Sequence, residues 1–101
     1  MSNRRKSFTD IDGKSRNDVH ERDGFRCVYC GKTNQPIELA HYISRAHGGL
    51  GVPENLVSLC IFCHDDYDGD KREEIRPFLQ NYLKSFYPEW SEEKLIYQKE
   101  R

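Results

Sequence analysis

Apolar residues are sparse over the first dozen positions and follow no period, so residues 1–12 are expected to form a disordered, basic tail. Ser15 with Asp18 three residues later reads as a variant capping box, opening a short helix to about Arg22. Asp23-Gly24 then turns the chain. Ile37 to Ile43 alternates apolar and polar residues as a half-buried strand does. Gly48, Gly49, Gly51 and Pro53 mark a loop, and Leu56-Val57-Ser58-Leu59 is a short return segment. From Ile61 the pattern turns helical to about Tyr67, until the Asp-rich stretch ending at Gly69-Asp70 interrupts it. Phe78, Leu79, Tyr82, Leu83 and Phe86 recur at helical spacing, which predicts an amphipathic helix over 77–86. Pro77 suits a first turn, so this helix begins near Arg76 or a longer one is kinked there. Tyr87-Pro88 stops it, and Ser91 can cap a last short helix over 92–98.

Composition limits how such elements hold together. At 101 residues there is room for one domain with a modest core. Hydrophobic residues make up 36% and charged ones 33%, so the chain buries too little apolar surface to be secure without a staple. Four cysteines can supply it, as two disulfides or as one four-thiolate metal site. No N-terminal apolar segment reads as a secretory signal, and no run approaches membrane-spanning length. The expected location is the cytoplasm, where thiols stay reduced, and that favours zinc. A net charge of −1 argues weakly against nucleic acid, but the distribution softens it. Residues 1–26 hold seven Lys/Arg against five Asp/Glu, whereas 65–101 hold seven against ten. Arg4, Arg5 and Lys6 lead a basic cluster that could touch phosphates or simply stay solvated.

The cysteines form two Cys-x-x-Cys pairs, Cys27 with Cys30 and Cys60 with Cys63. Thiolates so spaced reach one tetrahedral ion, and two pairs fill its four positions. A filled shell has no opening for water, so this metal is structural. Gly31, directly after Cys30, lets the backbone bend beneath it. Between and just beyond the pairs lie His41, Asn55 and His64.

Here the chain resembles the HNH (His-Me finger) endonuclease family. The resemblance is carried by Glu38-Leu39-Ala40-His41-Tyr42-Ile43-Ser44-Arg45, by Gly48-Gly49, and by Glu54-Asn55-Leu56-Val57-Ser58-Leu59-Cys60-Ile61-Phe62-Cys63-His64. The zinc-bound entry, Arg22-Asp23-Gly24-Phe25-Arg26-Cys27-Val28-Tyr29-Cys30-Gly31, belongs to it too. The match covers about residues 20–68, and Tyr87-Pro88-Glu89-Trp90 resembles the tail of small phage and prophage HNH proteins. What the resemblance implies is an α+β fold of the ββα-metal type, stapled by a four-cysteine zinc knuckle pair and flanked by helices. A single domain would span 13–101, with a zinc and ββα-metal core over 20–68 and a C-terminal helical extension over 71–99.

The implied activity is metal-dependent hydrolysis of DNA phosphodiester bonds, leaving a 5′-phosphate and a 3′-hydroxyl. By resemblance His41 is the general base, His64 a ligand of a catalytic Mg²⁺ or Mn²⁺, and Asn55 the residue that fixes the loop and base or lends its oxygen to the metal. Those residue types suit the chemistry, since a neutral imidazole can take a proton from water near pH 7. One position departs from the pattern. The residue before the base is usually an Asp, Glu or His that binds the metal, and here it is Ala40. His64 then draws help from Asp68 at i+4, from Asn55, or from substrate phosphate and water. His47 is an alternative ligand if its loop folds back, and Arg45 a candidate phosphate contact. Phage genome processing or packaging, with packaging proteins such as terminase as partners, is the role the resemblance implies.

Blander readings stand beside these. His20 reads as a surface or packing residue. Asp65, Asp66, Asp68 and Asp70 lack the glycine and terminal glutamate of a calcium loop. Tyr82, Phe86, Tyr87 and Trp90 could stack bases, but their spacing favours core packing. The runner-up function is a non-catalytic zinc-finger DNA-binding or adaptor module on an HNH scaffold. A disulfide-stapled extracellular domain is a third reading, and it leaves the histidines unexplained.

Overall fold

Two short strands and three helices carry the fold. The computed structural model describes residues 7–97. Helix α1 (Gly13–Asp23) leads to strand β1 (Ile37–His41), and β2 (Leu56–Cys60) returns antiparallel to it, pairing Ile37 with Cys60 and His41 with Leu56. Helix α2 (Ile61–Asp68) follows β2 without a break, and α3 (Arg72–Phe86) completes the set. Short 3₁₀ turns occupy Arg45–His47, Pro53–Asn55 and Glu92–Leu95. The ββα order and the α+β class agree with what the resemblance implies.

Every residue of β2 is buried because both of its faces are covered. On one face Leu56 meets Val19 of α1 and Leu39 of β1. On the other, Val57 and Leu59 join Ala40, Tyr67, Ile75, Leu79 and Leu83 in the main core, together with Cys27, Cys60 and Cys63. Three of the four cysteines thus stand within the same packed body as the hairpin, and Cys30 is exposed.

A buried ion pair locks α1 to the rest. Asp23, at the end of α1, accepts from the backbone N–H of Ser58 at 2.8 Å and from the Tyr82 hydroxyl at 2.6 Å. Its neighbour Arg22 donates to Asp23, to the carbonyls of Pro53 and Leu56, and to the Tyr87 hydroxyl. Burial works against the Arg22 charge, and the hydrogen bonds from Asp23 and Tyr87 outweigh it, so its pKa lies above the ordinary value. One pair of side chains ties α1, β2 and α3 together.

Several boundaries differ from the sequence reading. Asp12, not Ser15, caps α1, with its carboxylate accepting from the Ser15 N–H at 2.7 Å. Helix α3 is the longer of the two alternatives and holds Pro77 inside it. Ser91 precedes a 3₁₀ turn and makes no side-chain cap. Trp90 is buried and Tyr82 and Tyr87 half-buried, as core packing requires, but Phe86 stays 43% exposed. Of residues 1–12, expected as a disordered tail, residues 7–12 are folded against the hairpin, and Arg4, Arg5 and Lys6 lie outside the described residues. No helix among the described residues is long and apolar enough to cross a membrane.

Candidate active site

The sulfur atoms of Cys27, Cys30, Cys60 and Cys63 all lie within 4.8 Å of one another. A tetrahedral zinc ion with Zn–S bonds of about 2.3 Å needs sulfurs about 3.8 Å apart. Cys30 and Cys60 stand 3.8 Å apart, so the donor set fits that ion. Each knuckle also turns a backbone N–H toward its first sulfur, Cys30 toward Cys27 and Cys63 toward Cys60. Gly31 adopts φ 82°, the left-handed bend this requires. Burial opposes ionisation of Cys27, but backbone N–H donors from Cys30, Cys60 and Tyr29 overcome it and bring the thiol down to about 7. Burial and the neighbouring thiols push Cys63 upward, so the four cannot all ionise without a cation among them.

His41 ends β1, half-buried, and its Nε2 lies 2.9 Å from the carbonyl oxygen of Thr9. A carbonyl only accepts, so Nε2 carries the proton and Nδ1 keeps its lone pair. Burial holds His41 below the ordinary histidine pKa; the Thr9 carbonyl opposes that, Arg45 and His64 add to it, and Asp68 opposes it. The imidazole is therefore neutral near pH 7.

Asn55 is fully buried, and its side chain is wholly committed to backbone. Oδ1 accepts from the Ile43 N–H at 2.8 Å, while Nδ2 donates to the carbonyls of Ile43 at 3.1 Å and Leu50 at 2.9 Å. The backbone carbonyl of Asn55 accepts from the Tyr42 N–H at 2.7 Å. It staples the loop that leaves the His41 strand. Gly49 makes room for this staple, since a Cβ there would stand 1.7 Å from the Ile43 carbonyl oxygen and 2.9 Å from Asn55 Nδ2.

His64 lies one turn into α2. Its Nδ1 lies 2.7 Å from Glu38 Oε1 and its Nε2 3.3 Å from Asp68 Oδ2, so each ring nitrogen faces a carboxylate. Two ligand atoms that share a small divalent cation at about 2.1 Å stand about 3 Å apart when adjacent, so His64 and Asp68 fit as a pair. Ala40 is fully buried among core residues.

Of the remaining candidates, Arg45 is exposed and paired with Asp10 at 2.6 Å. His47 is exposed, with Nδ1 2.7 Å from the Ser44 hydroxyl. His20 packs its ring beside Phe25. Three participants were given no role by the sequence: Glu38 on His64, which lies inside the motif, and the Thr9 carbonyl on His41 and Asp10 on Arg45, which lie outside it. Glu38 was legible in part, because strand alternation puts it on the face of β1 that α2 covers. A backbone carbonyl has no residue type to betray it.

Comparison with known proteins agrees with this architecture. Residues 27–68 match the family model described as HNH endonuclease. The span begins at the first zinc-knuckle cysteine and ends at Asp68, taking in both knuckles, His41, Asn55 and His64. The chain is also similar to the protein named Anaredoxin of Nostoc sp. (strain PCC 7120), with 27% identity over 66 residues. That alignment covers 64% of this chain and 87% of Anaredoxin. HNH nucleases act on nucleic acid, and the family is typically metal-dependent.

Proposed function

We propose that this protein is a metal-dependent endonuclease that hydrolyses DNA phosphodiester bonds, by nicking or low-specificity cleavage. The observation that carries the reading is the pairing of His64 Nε2 with Asp68 beside a neutral His41 whose Nδ1 keeps its lone pair. His41 Nδ1 takes the proton of the attacking water. Asn55 holds the loop beyond the base in one conformation. Glu38 fixes the ring of His64 and leaves Nε2 for the cation, the arrangement by which carboxylates orient metal-binding histidines. A Mg²⁺ or Mn²⁺ ion held by His64 and Asp68 would neutralise charge on the phosphoryl oxygens and the leaving group. Arg45 exchanges Asp10 for a substrate phosphate. The four cysteines hold zinc and fix the hairpin against α2. Phage genome processing or packaging, guided by proteins such as terminase, is the setting that fits the resemblance of the tail.

Supercoiled plasmid incubated with Mg²⁺, Mn²⁺ or EDTA, with wild type beside His41→Ala, tests the proposal. Metal-dependent nicking that falls at least about a hundredfold in the variant, at unchanged zinc content, is expected. A folded, zinc-loaded wild type that shows no cleavage with either metal would overturn it. That result would favour a non-catalytic DNA-binding or adaptor module, the reading that the apolar setting of Ala40 supports.

A further inference from the structure

The segment before α1 contributes little to the core, yet it is anchored at several points that converge on one imidazole. Phe8 is 63% exposed and only Ile11 packs against the core, so apolar burial does not explain why residues 7–10 are held. Ser7 and Asp10 close a turn, with the Asp10 N–H on the Ser7 carbonyl and the Ser7 N–H on the Asp10 carboxylate, both at 3.1 Å. The Phe8 carbonyl accepts from the Gly51 N–H at 3.0 Å. The Phe8 ring stacks on Tyr97 at 4.2 Å, and the Tyr97 N–H donates to the Gly48 carbonyl at 2.9 Å. Asp10 reaches Arg45 at 2.6 Å. Between these anchors, the Thr9 carbonyl receives His41 Nε2–H at 2.9 Å.

Gly51 shows how closely the segment is fitted. A Cβ at this position would stand 2.1 Å from the Asp10 carbonyl oxygen and 2.9 Å from that of Thr9, so any side chain pushes the segment off. An imidazole at a strand end can otherwise turn about its outer torsion and exchange its two nitrogens. A fixed acceptor on one nitrogen removes that freedom and chooses the tautomer.

We propose that residues 7–12 form a positioning strap for His41, in which the Thr9 carbonyl holds Nε2–H and the Asp10–Arg45 and Gly51 contacts hold Thr9. This rests on His41 acting as the base. Thr9 touches no reacting atom; it aims Nδ1 by restraining the other side of the ring. Asp10 and Gly51 are one step further removed. Because Arg45 takes part in both the strap and the proposed phosphate contact, loss of the strap frees Arg45 while loosening His41.

The test uses the full-length, zinc-loaded protein, the variant Gly51→Ala, and a deletion of residues 2–10 that keeps the Asp12 cap. Long-range proton–nitrogen NMR reads the imidazole directly, whether or not the protein cleaves DNA. Wild type is expected to show a slowly exchanging Nε2–H and an unprotonated Nδ1 on His41. Both changes should abolish the slow exchange at full zinc content. On plasmid, kcat should fall about tenfold to a hundredfold, the range for a misplaced catalytic group, with KM unchanged or lower. A wild-type His41 protonated on Nδ1, or an Nε2–H as protected in the deletion as in wild type, would overturn the strap. Should Gly51→Ala fail to fold, the deletion decides, since it removes no core side chain. Wild type that holds His41 as described but never cleaves would refute the nuclease reading and leave the strap standing.

Discussion

Asn55→Ala should destabilise the zinc-loaded protein by about 3 kcal/mol, at about 1 kcal/mol for each hydrogen bond the carboxamide makes to Ile43 and Leu50. The site is fully buried, so water cannot replace these bonds, and the lost volume adds to the cost. Domains of this size hold about 5–15 kcal/mol in total, and each kcal/mol moves the midpoint by about 4–8 °C. A fall of about 12–24 °C in Tm is therefore expected, read by calorimetry at saturating zinc, with faster amide exchange at Ile43. Asn55→Asp is the sharper case. The oxygen that replaces Nδ2 would face the carbonyls of Ile43 and Leu50, acceptor against acceptor, in a buried site. It should cost at least as much as alanine, and acid should relieve it by restoring a donor. If instead Asn55 served by lending its oxygen to the cation, Asp would bind that cation at least as well. Wild-type stability together with tighter Mn²⁺ binding in Asn55→Asp would refute the staple.

Zinc and acid supply two more tests. A strong chelator should abolish cooperative unfolding, because Cys27, Cys60 and Cys63 are core residues and structural zinc contributes about 10–16 kcal/mol, as much as or more than the whole domain holds. A metal-free chain that unfolds cooperatively at the holoprotein's midpoint would contradict this. Glu92 is held below its ordinary pKa of 4.5, chiefly by the Tyr42 hydroxyl and then by Arg76, against burial. A depressed carboxylate stabilises the fold fully above its unfolded pKa and loses that contribution as pH falls through the folded value. The urea midpoint should thus drop between about pH 5 and 3, and the Glu92-dependent part of that slope should shrink in Tyr42→Phe. Equal slopes in the two proteins would show that Tyr42 does not hold the charge.

How much of this was legible in the sequence depended on whether the information lay in side-chain pattern or in geometry. The hairpin and α2 were readable because alternation and a change to helical spacing are local properties, and the cysteine pairs announce themselves by spacing alone. The start of α3 was not, since Pro77 satisfies both a first turn and a helix interior whose preceding turn carries the load. Ser15 and Asp12 are both competent caps, and only the backbone decides that Asp12 takes the position. The motif singled out His41, Asn55 and His64 and offered loop-fixing as one of two roles for Asn55, but not the Ile43 and Leu50 backbone groups that it holds. The Thr9 carbonyl lay beyond reach, because residues 7–12 owe their place to contacts with Gly51, Arg45 and Tyr97 far along the chain.

Ala40 shows how the two faces of one strand divide the work. Along β1, Leu39 packs with Val19 of α1, whereas Ala40 belongs to the main core and Glu38 meets His64 of α2. The family's usual acidic ligand would therefore stand at a site that here is fully buried beside apolar side chains, where an ionised carboxylate without a cation is costly. An alanine there lets the hairpin pack tightly with or without a bound cation. Glu38, on the same face but at the exposed start of the strand, meets His64 from the opposite side of its ring. Negative charge is thus retained next to the ligand histidine and moved out of the core. On the proposed reading, the cation would be held by few protein ligands, His64 and Asp68, and a substrate phosphate would help to complete its shell. Such a seat would bind Mg²⁺ weakly in the free protein and more strongly with DNA in place, so metal and substrate should show mutual cooperativity if the proposed reading holds.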